Sequence, residues 1–327
     1  MSKRLAPVFI LAFAAACSSE VESDLSAVES QPAVSLSDLV AAERHDATPP
    51  DSPHRISISQ KEIELDGQTI VELDGRKLPQ KASGDPGIAL LRYRLESAQG
   101  KAGAVLRVHA NASWGVLARV LATLEQLRIA PVLFEVRKDL DGNVGYLALG
   151  DVEIDASGEP KPFQGALQKE WDQVVSLWEA MSNACSGRGA VHCPSPSKNV
   201  PVKKGGLAEL ELFVQQDAMR VRFQRFFLGD DPDPAPVKKR KPKKDEPEVP
   251  EPEPVAEIEF MWRREAAHVT GSPIGDMLKP LCGSERCGVV LRSPGLASAG
   301  SMIRLLAAAH PAGTGLPYVR VVIPPDA

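Results

Sequence analysis

"VLRVHANASWGVLARVLA", residues 105–122, and "VLRSPGLASAGSMIRLLA", residues 290–307, share Val, Leu, Arg, Ala, Ser, Gly, Arg, Leu and Ala at a constant offset of 185. Each opens as a short apolar strand, passes through small and polar residues, and closes as a helix. In the first copy Val116, Leu117, Val120, Leu121, Leu124 and Leu127 fall on one helical face. A strand follows each copy, "PVLFEV" (131–136) and "PYVRVV" (317–322), with one residue inserted in the second. Any two amphipathic strand-helix-strand stretches look alike, so the weight rests on the matching order of elements around them, which makes a tandem duplication the better reading.

Upstream of the first copy, "ISISQKEIELDGQTIVEL" (56–73) alternates apolar and polar residues around Asp66-Gly67, the two-residue turn of a hairpin. "DPGIALLRYRLESAQ" (85–99) sets Leu90, Leu91 and Leu95 at helical spacing. The order is ββ-α-β-α-β, which buries one face of a sheet under two helices. Upstream of the second copy, "LELFVQQDAMRVRFQRF" (210–226) mirrors the first hairpin and "EIEFMW" (257–262) supplies its returning strand. In place of the tight turn stands "GDDPDPAPVKKRKPKKDEPEVPEPEP" (229–254), with eight prolines, eight acids and six bases, a composition expected to stand out as an extended segment. "GALQKEWDQVVSLWEAMSNACSG" (165–187) reads as an amphipathic helix through Leu167, Trp171, Val174, Trp178 and Met181.

The first residues set the expected compartment. Lys3 and Arg4, then apolar Leu5–Phe13, then Ala14-Ala15-Ala16 form a signal peptide, too short to span a bilayer. An A-x-A cleavage site competes with a lipobox ending at Cys17, although Ala14 stands where the lipobox usually has leucine. Parity favours lipidation: with Cys17 acylated, Cys185, Cys193, Cys282 and Cys287 remain as an even set. Ser18, in place of aspartate, directs the expectation to the outer membrane, on the periplasmic side of the envelope. Residues 18–54 hold eight acidic residues against one basic, Arg44, and no aromatic, so residues 17–54 are expected to be a disordered, lipid-anchored tether.

The four remaining cysteines bracket two Gly-containing loops and are read as disulfides of undecided pairing; a zinc site is the alternative, but neither spacing is that of a C-x2-C ribbon. The six histidines show no i, i+4 pair, and "DLDGN" (139–143) is an ordinary turn lacking the further ligands of a calcium loop, so neither metal nor cofactor is expected. "GLASAG" (295–300) approaches a nucleophile elbow, but Leu296 occupies the place that must be glycine, and Ser298 reads as a helix-start residue. The net charge of −5 gives no general reason to expect nucleic acid. The one concentrated charge is Lys238, Lys239, Arg240, Lys241, Lys243 and Lys244, either a solvated spacer or a contact for anionic lipid or wall polymer.

Residues 55–137 resemble the periplasmic domain of the biopolymer-transport ExbD/TolR family: a hairpin carrying "DGQTI", a helix, then "VLRVHANASWGVLARVLATLEQLRIAPVLFEV". Where the family tends to read Ala-Asp and then Tyr-Gly, this chain has Ala110-Asn111 and Trp114-Gly115; the second unit has Gly295-Leu296 and Ala299-Gly300. The resemblance implies an α+β fold of two two-layer units, each a small mixed sheet covered by two helices. The units are expected at 55–160 and 207–327, joined by a helical and disulfide-loop connector at 161–206. It also implies dimerisation and contact with envelope partners, which makes Asn111 and Trp114 candidate contact residues beside the basic run. Family members carry a membrane helix with an acidic residue for proton-driven work; here a cleavable label stands instead, so no proton conduction is expected. The resulting expectation is a non-enzymatic envelope lipoprotein that binds or scaffolds a transport or motor complex. The alternatives are a peptidoglycan-binding module without a motor and a hydrolase with an unrecognised site.

Overall fold

The computed structural model describes residues 34–42, 45–82, 86–97, 102–138, 143–156, 176, 179, 180, 183, 195–199, 206–214, 218–226, 256–263, 288–308 and 318–325. All of them belong to one compact unit, Ala33–Ala327. Cys17, the other four cysteines and the basic run lie outside the described residues.

The chain forms two mixed sheets with few helices. The first contains β1 (His54–Ile58), β2 (Glu62–Leu65), β3 (Gln68–Glu72), β4 (Ala104–Val108), β5 (Val132–Arg137) and β6 (Val144–Ala148), in the order β3-β2-β1-β4-β5-β6. The second contains β7 (Val152–Asp155), β8 (Ser195–Asn199), β9 (Gly206–Val214), β10 (Ala218–Phe226), β11 (Ala256–Arg263), β12 (Gly288–Arg292) and β13 (Tyr318–Val322), in the order β7-β13-β12-β9-β10-β11-β8. Reading the second sheet from β11 to β13 reproduces the first from β3 to β5: an antiparallel meander whose first strand lies parallel to a strand that in turn lies parallel to the next. The registers agree as well. Ile56 faces Leu106 and Leu65 in the first sheet, while Leu212 faces Leu291 and Val221 in the second.

Local chemistry explains the elements. Asp66 (φ 53°) and Gly67 (φ 81°) both take left-handed backbone, the two-residue turn that matches strand twist between β2 and β3. Helices α1 (Ala89–Ser97) and α2 (Trp114–Gln126) follow the leucine and valine spacing, and α3 (Ala299–Ala308) is their counterpart in the second half. Ser113 Oγ accepts the Val116 N–H at 3.2 Å and Ser298 Oγ accepts the Ser301 N–H at 3.0 Å, so each helix starts on a serine cap at the same place in the repeat. Ten of the thirteen residues of α2 are buried, because it packs against α1, α3 and the strands β7 and β13. Ile56, Leu106, Phe134, Leu212, Leu291 and Val321 meet in one continuous core.

Several expectations are corrected by this architecture. The hairpin at 56–73 is a three-stranded meander, with an additional turn at Ser59 whose Oγ accepts the Lys61 and Glu62 N–H groups. Phe134 stands beside Leu106 as Val321 stands beside Leu291, so the last strand of the second copy is two residues displaced, not one. Inward-facing Phe134 and Val136 set that register, since a one-residue slip would turn the strand inside out. β7, placed by its position with the first unit, instead joins the second sheet parallel to β13. β8, within the expected helical connector, pairs with β11. Of the connector helix only positions 176, 179, 180 and 183 are described; they are helical and exposed.

The largest correction concerns the tether. Residues 34–42 and 45–47 form a strap across the carboxyl end of the first sheet. Asp38 O accepts the Ala110 N–H, Val40 O accepts the Arg137 N–H, and the Ala42 and Ala47 N–H groups donate to Arg137 O and Tyr146 O. Val34, Leu39 and Val40 are all no more than 2 % exposed. Acid-rich composition argued for disorder, but it averages over the stretch; a few well-placed apolar residues are enough where the backbone groups find sheet partners.

Candidate interaction site

The loops leading into α2 and α3 meet back to back. Trp114 N–H donates to Ala297 O (2.8 Å) and Ala299 N–H to Ala112 O (2.9 Å); Gly115 N–H donates to Gly295 O (2.8 Å) and Gly300 N–H to Ala110 O (3.2 Å). Adding 185 to the first-half residue of each bond gives the second-half residue of its mate, so the four bonds form two reciprocal pairs about a local two-fold axis. Ser113 and Ser298, equivalent in the repeat, face each other as an antiparallel bridge on that axis. The N-terminal amides of both helices, which would otherwise need water or an anion, are thus satisfied by the carbonyls of the other half. A Cβ on Gly300 would stand 2.5 Å from Ala110 O, so glycine is what lets the two backbones touch.

Trp114 lies inside this junction, 1 % exposed, with its indole N–H buried and without a hydrogen-bond partner. It packs the core and presents no aromatic face to a partner, so of the two readings open to a helix-start aromatic, binding surface or packing residue, the second holds. Helix-start position looked identical in sequence whether the ring faced in or out; only the second half of the chain, stacked against it, decides. Asn111 is exposed, and its counterpart Leu296 is 44 % exposed beside it in the repeat. The Arg76 guanidinium reaches Leu296 O at 3.4 Å, a link between the first meander and the second half.

Next to Asn111 lies a polar cluster that sequence reasoning did not assemble. Asn111 N–H donates to His109 Nδ1 at 2.9 Å, leaving Nε2 as the protonated nitrogen of the neutral ring. Nε2 lies 3.4 Å from the Gln60 amide nitrogen and 3.9 Å from Asp38 Oδ1. Ser35 Oγ donates to Asp38 at 2.6 Å. That hydroxyl lowers the Asp38 pKa; burial opposes it, and a protonated His109 ring adds to the lowering. The arrangement is not that of a nucleophile and its base, because the serine sits on the far side of the carboxylate from the imidazole. Its effect is to tie the strap to the end of β4. Its three segments, at 35–38, 60 and 109–111, span separations of 22 to 76 positions, too far for a local motif to reveal.

Two further features surround the core. A cleft of about 560 Å³ opens where α2 ends and the chain crosses between sheets, with Leu124, Val132 and Leu149 on its floor and Glu125, Arg128 and Asp151 among its polar lining residues. Arg128 takes φ 54° there, and Ile129 N–H closes back on Leu124 O at 2.9 Å, a helix ending normally given to glycine. On the sheet faces away from the helices, charges are paired: Arg107 with Glu135 at 2.5 Å, Arg292 with Glu211 at 3.1 Å, and Arg320 with Asp155. Arg107 and Arg292 are equivalent in the repeat, yet they choose carboxylates on different strands.

Comparison with family models, curated proteins and solved structures finds no match. The junction's own geometry therefore carries the interpretation. Among the described residues no group of three His, Cys, Asp or Glu side chains is placed to hold a metal ion. Among them, too, no helix is long and apolar enough to cross a membrane.

Proposed function

We propose that this chain is a non-enzymatic envelope lipoprotein, anchored through Cys17, whose two ExbD/TolR-like units bind or scaffold components of a biopolymer-transport or energy-coupling system without conducting protons. The observation that supports it is the local two-fold axis at Ser113 and Ser298. The resembled family works through paired periplasmic domains, and the reciprocal bonds between equivalent loops supply such a pair within one chain. A fused pair has fixed stoichiometry and loses no translational entropy on assembly, which suits a stationary partner of a moving complex. The exposed loop residues Asn111 and Leu296, equivalent positions of the two loops, are the candidate contact points on the described surface.

The test is crosslinking in intact envelopes followed by capture of this chain. Recovery of transport or motor proteins supports the reading; recovery of peptidoglycan alone would replace it with that of a wall-binding module. Mass spectrometry of the mature N-terminus checks the anchor separately, since an unmodified Cys17 removes the lipoprotein part and leaves the paired fold untouched.

A further inference from the structure

The strap is held differently from the rest of the molecule. Its sheet contacts are backbone bonds to the ends of β4 and β5 and to the outer edge of β6, while Leu36 points outward at 44 % exposure. Removing it would leave the pairing of β4 with β5 and of β5 with β6 in place. One residue of the sheet is shaped for it. Gly145, in β6, has no left-handed backbone to require glycine, but a Cβ there would overlap the Cβ of His45. A strand position that gives up a side chain loses packing and gains chain entropy in the unfolded state, a cost offset here by the approach of the strap. Behind the strap runs "TPPDSP" (48–53), in which three prolines favour an extended path and cannot donate to a ladder. The firm attachment resumes at Ser52 O, which accepts the Ala102 N–H at 3.1 Å, and at His54, where β1 begins.

We infer that the strap is a reversible clasp that sets how much chain separates the folded body from its N-terminal attachment. Docked, the first described contact with the body is at Val34; released, the attachment moves to Ser52, adding about 18 residues or ~60 Å of contour. Its consequence at a membrane rests on the anchor at Cys17 proposed above, but its release does not. The strap gives only Val34, Leu39, Val40 and Ala42 to the buried apolar residues, far fewer than the body gives, so it opens at lower cost than the body unfolds. Under pull from the attachment, such a segment yields before the core, so that the body gains reach without unfolding.

Stretching the full mature chain between its two ends in optical tweezers tests this. The expected record has a first, reversible step of ~60 Å contour at lower force than the cooperative unfolding of the body. Gly145→Val, which favours β-strand but excludes His45, is expected to abolish that step. In hydrogen exchange the same variant is expected to speed the Ala42 and Ala47 amides ~100-fold while the Ala104 amide, bonded to Pro131 O, keeps its protection. Release of the strap's contour only together with the body overturns the clasp, as does a Gly145→Val protein whose Ala42 and Ala47 amides exchange as in the wild type. A free Cys17 amine would end the lipoprotein reading and leave the first step in place.

Discussion

The loop entering α2 and the loop entering α3 have the same backbone and opposite contents. Both place a serine on the local axis, both cap a helix with it, and both hand two amides to the other's carbonyls. Yet the next residue is Trp114 in one and Ala299 in the other, both fully buried. Near a two-fold axis the equivalent side chains compete for one volume. Close packing tolerates neither overlap nor void, so bulk on one side of such a junction calls for small residues on the other. Backbone geometry can therefore remain symmetric while bulk is supplied once, by either side. The same division appears at Arg107 and Arg292, where the cation is repeated and its acidic partner is not.

The comparison can be broken most severely at its one large residue. Trp114→Ala is expected to cost about 4 kcal/mol in urea unfolding, because nothing on the Ala299 side extends to fill the space. Trp114→Phe should cost much less, since the indole N–H has no hydrogen bond to lose. Equal losses for the two would mean that the ring is held by more than packing. Gly300→Ala follows at about 3 kcal/mol, because the new Cβ meets Ala110 backbone atoms that no side-chain rotation can clear. A neutral result there would show that the halves do not touch as described.

The two caps sharpen the comparison on a finer scale. Ser113→Ala should cost ~1 kcal/mol as the loss of one helix cap. Ser298→Ala should cost more, ~2 kcal/mol, because its hydroxyl also donates to Ala110 O at 2.8 Å. Equal values would place that second bond among those with no net effect. The smallest expected effect is on pH. Asp38 is held below the usual carboxylate range by Ser35, so its contribution is present above the ordinary carboxylate pKa and fades as pH falls through the lowered folded value. Acidification should loosen the strap, read as a lower protection factor at Ala42, and Asp38→Asn should remove the pH dependence of that factor.

Much of the fold was legible because it is written locally. Periodic valine and leucine placed α2, short apolar runs placed β4 and β12, Asp66-Gly67 placed a tight turn, and the 185-residue offset anticipated that two halves would share a plan. These features arise from short-range forces, namely helical and strand periodicity and the steric freedom of particular turn residues. What only the tertiary structure decided depends on backbone hydrogen bonds between distant segments, which any residue except proline can make. Residues 34–42 and 45–47 docked although their composition spoke for a tether, and "VEID" crossed to β13 although its position spoke for the first sheet. "SPSKN" found the edge of β11 with no strand signal at all. Trp114 could have faced water or core from its sequence alone; it is buried because the second half of the chain brings a matching loop, and with it an alanine, to the same axis.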